Sequence, residues 1–246
     1  MCYSLPRNCL AYRNMKRAIM GRIPTRDDLT AGQLVRLHAG RNWTKADIFL
    51  WEDASGLRLA VKDYANRPAW LRNSLGRLLI RHECAAYRRL AGMEGIPAFA
   101  GRVDAHAFAV AFVDGKDLSR IRRGDVSASF FSRLMDLLNR LHGAGVAHGD
   151  LHHRDVLVDS RGSPFLVDFS TAVLMEPVAG KVRRALFRAA CGSDRRAGLK
   201  LKRRHDPRAL TAEENQELDQ VPAWYRIGKG LRWLLGRERR RWTGAP

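Results

Sequence analysis

Short apolar runs separated by a polar turn mark the first half of the chain. Residues 48–51 and 57–61 are such runs, and the five residues between them end in Gly56. This pattern predicts a β-hairpin. A further apolar run, residues 108–113, predicts a buried strand.

Two longer stretches have the periodicity of amphipathic helices. Apolar residues return every three or four positions from about residue 70 to residue 91, shortly after Pro68, and again over residues 127–142. Gly143 and Gly145 follow the second stretch and are typical of a helix end. The last third of the chain is also helical in pattern and strongly basic.

The chain therefore changes from strands to helices near its middle. We predict an α+β fold with two lobes. Residues 31–115 would form a small antiparallel-sheet N-terminal lobe, and residues 116–246 a reduced helical C-terminal lobe that ends in basic helices. Residues 1–30 are assigned to an N-terminal extension. A length of 246 residues is enough for one such domain with a sizeable core.

A second hairpin is predicted from the apolar runs at residues 156–158 and 165–167, which flank a polar turn. A hairpin returns the chain to its starting point. Asp155, just before the first strand, is therefore expected near Asp168, just after the second. Asp150 lies in the loop that leads in, so three carboxylates are expected at one end of this hairpin.

Carboxylates that converge in this way repel one another unless a cation neutralises them. Mg²⁺ suits such a place because it is typically held by one or two carboxylates plus substrate phosphates. Any one of these aspartates alone is more typical of a turn or a helix cap, and Asp159 is assigned to a turn. The joint spacing of the three aspartates favours a catalytic role for them over separate turn and cap roles.

The segment HGDLHHRDVLVD at residues 148–159, followed by VDF at residues 167–169, resembles the protein-kinase-like superfamily. His-Gly-Asp in place of His-Arg-Asp is similar to the aminoglycoside and choline kinase type, to RIO kinases, and to the lipopolysaccharide Kdo and heptose kinases. The resemblance implies that ATP donates the phosphate and that Asp150 orients the acceptor hydroxyl. It also implies that Mg²⁺ is held by Asp155 and Asp168.

The resemblance extends over about residues 35–205 and implies further roles. Lys62, at the end of the second predicted strand, is similar to the lysine that binds the α- and β-phosphates of ATP, and Glu83 on the following helix would pair with it. Gly40 lies where a phosphate-covering loop is expected, although this segment has one glycine where the kinase pattern has three. The alternatives are an exposed strand lysine and a weak surface ion pair of Glu83.

Two residues depart from the kinase pattern. Asp155 stands in place of the usual Asn, which adds negative charge but still supplies an oxygen ligand for Mg²⁺. Ser170 stands in place of Gly, which reduces the freedom of the backbone. Neither change removes an essential functional group. A degenerate kinase that binds nucleotide poorly is the alternative.

Basic residues outnumber acidic ones by 44 to 25, which gives a net charge of +19. Such a field attracts nucleotide phosphates, nucleic acid or an anionic membrane surface without deciding among them. The sequence contains no run of 18 apolar residues, so no transmembrane helix is predicted. The basic N-terminus lacks the apolar core of a signal peptide. We therefore expect a cytoplasmic protein. The four cysteines form no CxxC pair, which argues against a zinc site or a disulfide framework.

The segment after Phe169 is short, and it contains no A-P-E-like sequence, which argues against a signalling kinase with a regulated activation loop. Residues 224–241 combine apolar positions at helical spacing with many arginines. This helix would either lie on the inner face of an anionic membrane or pack on the C-terminal lobe. Asp194, the one acid between Lys181 and Arg204, is expected either to brace the catalytic loop or to cap a helix.

Three functions follow from these observations. A kinase acting on a lipid-linked saccharide, such as the inner core of lipopolysaccharide at the cytoplasmic membrane face, is favoured by the small C-terminal lobe, the basic surface and the resemblance. A RIO-like serine/threonine protein kinase is the alternative. A non-catalytic nucleotide- or RNA-binding module comes third, because the kinase residues are retained and no RNA-binding motif with stacking aromatics is present. The positive charge does not exclude a nucleic-acid partner.

Overall fold

Five antiparallel strands form the sheet of the N-terminal lobe. They are β1 (Val35–His38), β2 (Asp47–Glu52), β3 (Arg58–Asp63), β4 (Phe99–Arg102) and β5 (Ala107–Ala111). Their order in the sheet is β1-β2-β3-β5-β4, so β3 lies at the centre. The computed structural model describes residues 23–31, 34–39, 45–176 and 178–220.

The β2–β3 hairpin confirms the first predicted turn. The side chain of Asp53 accepts hydrogen bonds from the backbone N–H groups of Ser55 and Leu57, at 2.8 and 2.9 Å. Such a turn fixes the register of the two strands. In that register Lys62 of β3 lies between Ile48 on one neighbouring strand and Phe108 on the other. Lys62 is thereby fixed in the middle of the sheet.

Both faces of this sheet are covered. Leu29 of helix α1 (Arg26–Ala31) packs with Leu59 and other buried residues on one face. Arg26 of the same helix forms ion pairs with Asp63 at 2.5 Å and with Asp104 at 2.6 Å. All five residues of β5 are buried because neither of its faces meets water. The domain boundary after residue 30 stays a prediction, although α1 contacts the sheet.

The helix predicted for residues 70–91 is present but irregular. Helix α2 (Ala69–Leu71) continues through a π-helical turn at Arg72–Gly76 into helix α3 (Arg77–Arg89). A π turn contains an extra residue and shifts the phase of the helix. Leu75 and Leu78, which the regular spacing placed with the apolar positions, are consequently 39% and 63% exposed. The face of α3 that is buried consists of Ile80, Glu83, Cys84, Ala86 and Tyr87.

Helices α4 (Ala128–Gly143) and α5 (Lys181–His205) form the centre of the C-terminal lobe. The apolar face predicted for α4 is confirmed, because the six Phe and Leu residues of that face are buried. They are Phe130, Phe131, Leu134, Leu137, Leu138 and Leu141. The short helix α6 (Ala212–Asp219) follows, and it begins with a capping box formed by Thr211 and Glu214.

Two small sheets position the loops of the C-terminal lobe. Strands β6 (Gly115–Asp117), β8 (Val156–Asp159) and β9 (Pro164–Leu166) form one sheet, in that order. Strand β7 (Val146–Ala147) pairs with β10 (Val173–Leu174) in the other. The β8–β9 pairing confirms the second predicted hairpin. It brings the chain before β8 back beside the chain after β9.

Two predicted features lie outside the described residues: the phosphate-covering loop with Gly40, and the basic helix around residues 224–241. Within the described parts of the chain, no helix is long and apolar enough to cross a membrane.

Candidate active site

Lys62 lies between two carboxylates at the centre of the site. Its Nζ is 2.7 Å from Oε2 of Glu83 and 2.8 Å from Oδ1 of Asp168. The alternation of β3 explains this placement, since Leu59 and Val61 are fully buried on one face of the sheet and Lys62 extends from the other. Its side chain is 14% exposed, so the alternative of an exposed strand lysine is wrong.

Burial and ion pairing act against each other at this lysine. Burial opposes the positive charge, but Asp168 and Glu83 outweigh that effect and raise the pKa of Lys62 well above its ordinary value. Glu83 is 2% exposed, and burial raises its pKa although Lys62 opposes the shift. A buried ion pair of this kind is strongly destabilising when one partner is removed. The surface ion pair considered for Glu83 is therefore excluded.

Asp168 has an unusual backbone. Its φ of +65° lies in the left-handed region, which Asp tolerates better than most residues. The hydroxyl of Ser170 donates a hydrogen bond to its Oδ1 at 2.7 Å. Lys62 holds the pKa of Asp168 well below its usual range. Asp168 is the only described non-glycine residue with positive φ, so the serine that replaces glycine at position 170 causes no backbone strain here.

Phe169 joins the site to α3. Its ring is fully buried and meets Tyr87 edge-on, with ring centroids 5.1 Å apart. The backbone N–H of Phe169 also favours the charged form of the Glu83 carboxylate and lowers its pKa. Aromatic pairs of this geometry add to the stabilisation from burial. The position of α3, and with it Glu83, is thus coupled to the segment that carries Asp168.

Asp155 lies beside the end of the β8–β9 hairpin, as the sequence predicted. Its carbonyl oxygen accepts a hydrogen bond from the N–H of Val167 at 2.9 Å, and its Oδ2 accepts one from the N–H of His152 at 2.8 Å. Burial raises the pKa of Asp155 to about 6, and the nearby Asp168 contributes to the rise. A carboxylate in this environment favours a cation at close range.

Asp150 lies on the loop between β7 and β8, and 42% of its side chain is exposed. Gly149 before it has a φ of +84°, and a Cβ added there would lie 2.5 Å from the carbonyl oxygen of Thr171. Only glycine permits this close approach of the two backbone segments. Thr171 in turn donates its hydroxyl to the carbonyl oxygen of His148 at 3.2 Å. The loop that presents Asp150 is therefore held against the segment after Asp168.

Asp194 braces the same loop from the interior of α5. It is fully buried and accepts hydrogen bonds from the backbone N–H groups of His148 at 2.6 Å and Gly149 at 2.9 Å. The ring of His142 lies 3.1 Å from its Oδ2. The brace interpretation is confirmed, and the helix-cap alternative is wrong because Asp194 lies in the middle of the helix.

Comparison with known proteins shows the family to which the chain belongs. The profile of the phosphotransferase enzyme family (APH) matches residues 29–179, more than half of the chain. The chain belongs to this family. The structure of the Rio2 kinase from Chaetomium thermophilum matches with a TM-score of 0.52 at 14% sequence identity, over 89% of this chain and 87% of that chain. That likeness confirms the predicted protein-kinase-like α+β fold. A search of curated proteins gave no match.

Asp155 and Asp168 are the two carboxylates of the site that could hold a divalent cation. Asp150 does not join them in a metal-binding group, because the described residues contain no cluster of three or more His, Cys, Asp or Glu side chains that could hold a metal. Asp150 instead lies on the braced loop, with its Oδ1 3.8 Å from the ring of His152. A pair of carboxylates still suits Mg²⁺, which completes its coordination with water and phosphate oxygens.

A group of arginines adjoins the loop between β7 and β8. Arg123, Arg154 and Arg204 are exposed and form no ion pair within the described parts of the chain. Burial lowers the pKa of His153, and Arg204 and Arg154 lower it further. The N–H of Gly124 donates to the carbonyl oxygen of the last residue of α5 at 3.0 Å, which holds the turn with Arg123 against that helix. We call Arg123, His153, Arg154 and Arg204 the basic cluster.

Two features of the site escaped the sequence interpretation. The first is the hydrogen bond from Ser170 to Asp168, although a hydroxyl two residues after an aspartate is a recognisable turn signal. The second is the basic cluster. Its members come from three segments that are distant in sequence, so no local pattern could have joined them.

Replacing Asp194 by Asn would test the brace. One of its two acceptor oxygens becomes an NH₂ group that faces a backbone N–H, so a buried donor loses its partner. We expect the protein to be about 2–3 kcal/mol less stable in denaturant unfolding. We also expect kcat for ATP consumption to fall roughly 10- to 100-fold, because a small displacement of Asp150 suffices for such a loss. Asp219→Asn, at an exposed position of α6, is the control and should match the wild type. Unchanged stability and kcat in Asp194→Asn would contradict the brace.

The pKa of Asp155 can be followed by ¹³C NMR of its carboxyl group, with Asp155→Asn to assign the signal. In the metal-free protein we expect a midpoint of about 6 rather than 3.8, so that the group gains its proton as the pH falls through 6. Mg²⁺ with ATP should move the midpoint to lower pH, since a bound cation favours the carboxylate. A midpoint that does not change would exclude Asp155 as a metal ligand.

Proposed function

We propose that this phosphotransferase is an ATP-dependent kinase that transfers the γ-phosphate to a hydroxyl of a lipid-linked saccharide, such as the inner core of lipopolysaccharide, at the cytoplasmic membrane face. The observation that carries the kinase chemistry is the contact of Lys62 with both Glu83 and Asp168. It joins the three residues that the kinase mechanism requires for the phosphates and the metal.

In this proposal Lys62 binds the α- and β-phosphates of ATP, and Glu83 holds its ammonium group in place. Because Glu83 is buried and Phe169 ties α3 to the site, little reorganisation is needed when the phosphates arrive. Prepositioned charges of this kind stabilise a transition state more than mobile ones do. Asp155 and Asp168 would hold Mg²⁺, which neutralises charge on the transferred phosphate.

Asp150 would orient the acceptor hydroxyl and take its proton late in the transfer. Its partial exposure leaves the carboxylate accessible to an acceptor, while Asp194 and Gly149 fix the loop beneath it. Catalysis would then rest mainly on positioning and on charge neutralisation.

The basic cluster supports an anionic saccharide as the acceptor, because it adjoins the loop that carries Asp150. Exposed arginines without acidic partners suit phosphate or carboxylate groups, with which guanidinium forms strong hydrogen bonds. The described part of the chain after β10 comprises α5, α6 and a short 3₁₀ turn. A serine or threonine side chain of a protein is the second candidate acceptor, because the Rio2 kinase shares this fold.

Consumption of ATP by the purified protein with Mg²⁺ would test this function. We expect Asp150→Asn and Asp168→Asn each to lower kcat by about 10²- to 10⁴-fold, as loss of a proton acceptor or of a metal ligand typically does. Asp159→Asn, in the turn of the same hairpin, is the matched control and should retain activity, since Asn supports the same turn.

Adding a membrane lipid extract or a protein mixture to the same assay would distinguish the acceptors. Stimulation by the lipid extract supports the saccharide. Stimulation by protein alone supports the protein-kinase alternative. No ATP turnover and no binding of Mg·ATP under any condition would refute the kinase and leave a degenerate kinase fold used for binding.

A further inference from the structure

An exposed apolar stripe runs along the beginning of α5. Val178, Val182 and Leu186 are 97%, 75% and 61% exposed, and their spacing of four residues puts the last two on one face of the first two helical turns. Phe187, next in sequence, is buried and marks the inner side of the helix. Apolar side chains on a helix ordinarily face the core, so a stripe on the outer side needs a partner.

Basic residues border this apolar stripe. Lys181, Arg183, Arg184 and Arg188 are exposed around it, and the sequence has no acid from Lys181 to the residue before Asp194. Glu176 is the nearby acid, and it lies 3.4 Å from Arg183. The border therefore keeps a strong excess of positive charge.

Charge argues against the chain itself as the partner. Residues 1–22 contain five basic residues and no acid, and residues 221–246 contain seven basic residues and one acid. A second copy of the chain would bring the same basic border against its own. Like charges at an interface are unfavourable in each case. The partner that complements the stripe is therefore anionic and accepts apolar side chains.

We propose that the apolar stripe and its basic border form a docking surface for an anionic lipid bilayer. The stripe lies on the outer surface of α5, so Val182 and Leu186 could enter the bilayer below the lipid head groups. Lys181 and Arg188 beside them would bind the phosphates of those head groups. A proteinaceous partner would more often meet such a stripe in a groove of its own.

This docking surface follows the candidate active site closely in the sequence. Val178 comes ten residues after Asp168, and Arg183 donates a hydrogen bond to the carbonyl oxygen of Leu174 in β10 at 3.1 Å. Docking through α5 would hold the catalytic loops near the bilayer, and this purpose rests on the proposed transfer to a lipid-linked acceptor. The docking itself does not depend on turnover.

Co-sedimentation of the full chain with vesicles, without nucleotide, would test the docking surface. The vesicles are phosphatidylcholine alone, or phosphatidylcholine with 30% phosphatidylglycerol as the source of negative charge. We expect the wild type to bind the anionic vesicles at least tenfold more tightly, with binding weakened by salt. Val182→Gln with Leu186→Gln should lower the partition coefficient at least tenfold, and Lys181→Gln with Arg188→Gln several-fold.

The control removes two positive charges elsewhere. Arg203→Gln lies near the end of α5, about 22 Å from Arg188 at 1.5 Å per residue, and Arg208→Gln lies in the 3₁₀ turn after that helix. This double variant should bind vesicles within twofold of the wild type. ATP consumption without vesicles should be the same in all these variants, so a failure of docking is separable from a failure of the kinase. The proposal would be overturned if the wild type did not bind anionic vesicles, or if Val182→Gln with Leu186→Gln bound them as tightly as the wild type.

Discussion

One buried cation held by two carboxylates is the interaction on which the site depends. Lys62 comes from the central strand of the sheet, Glu83 from α3, and Asp168 from the loop after β9. Neither Glu83 nor Lys62 is well exposed, so each needs the other to avoid an unpaired buried charge. The N-terminal sheet, the helix beside it and the C-terminal lobe are thus fixed relative to one another at the point where phosphoryl transfer would take place.

The other contacts around the site fix the backbone of the loop that carries Asp150. Asp194 satisfies two N–H groups of the loop before Asp150, and Gly149 lets that loop touch the segment after Asp168. Phe169 fills the space between α3 and the C-terminal core. These contacts leave Asp150 partly exposed on a rigid support, which is the arrangement that an acceptor-binding carboxylate needs.

The hairpins and the face of α4 could be predicted because they follow local rules of alternation, turn chemistry and helical period. Asp155 was placed correctly for the same reason, since a hairpin returns the chain to its start. The phase of α2–α3 could not be predicted, because the π turn before Arg77 is set by packing and leaves Leu78 exposed. The position of Asp150 relative to the hairpin could not be predicted, since the path of its loop depends on Gly149 and on Asp194, which lies far away in the sequence. The resemblance to kinases supplied the pairing of Lys62 with Glu83, and no local pattern contained it.

Binding of Mg·ATP to the wild type and to Lys62→Met, measured by isothermal titration calorimetry, tests the account most directly. Lys116→Met, at an exposed position of β6, is the matched control. Thermal unfolding would establish that each variant is folded. The account predicts that Lys62→Met binds Mg·ATP at least tenfold more weakly, while its affinity for adenosine, which lacks phosphates, is unchanged. Equal affinity of folded Lys62→Met and wild type for Mg·ATP, or no binding to the wild type, would contradict it.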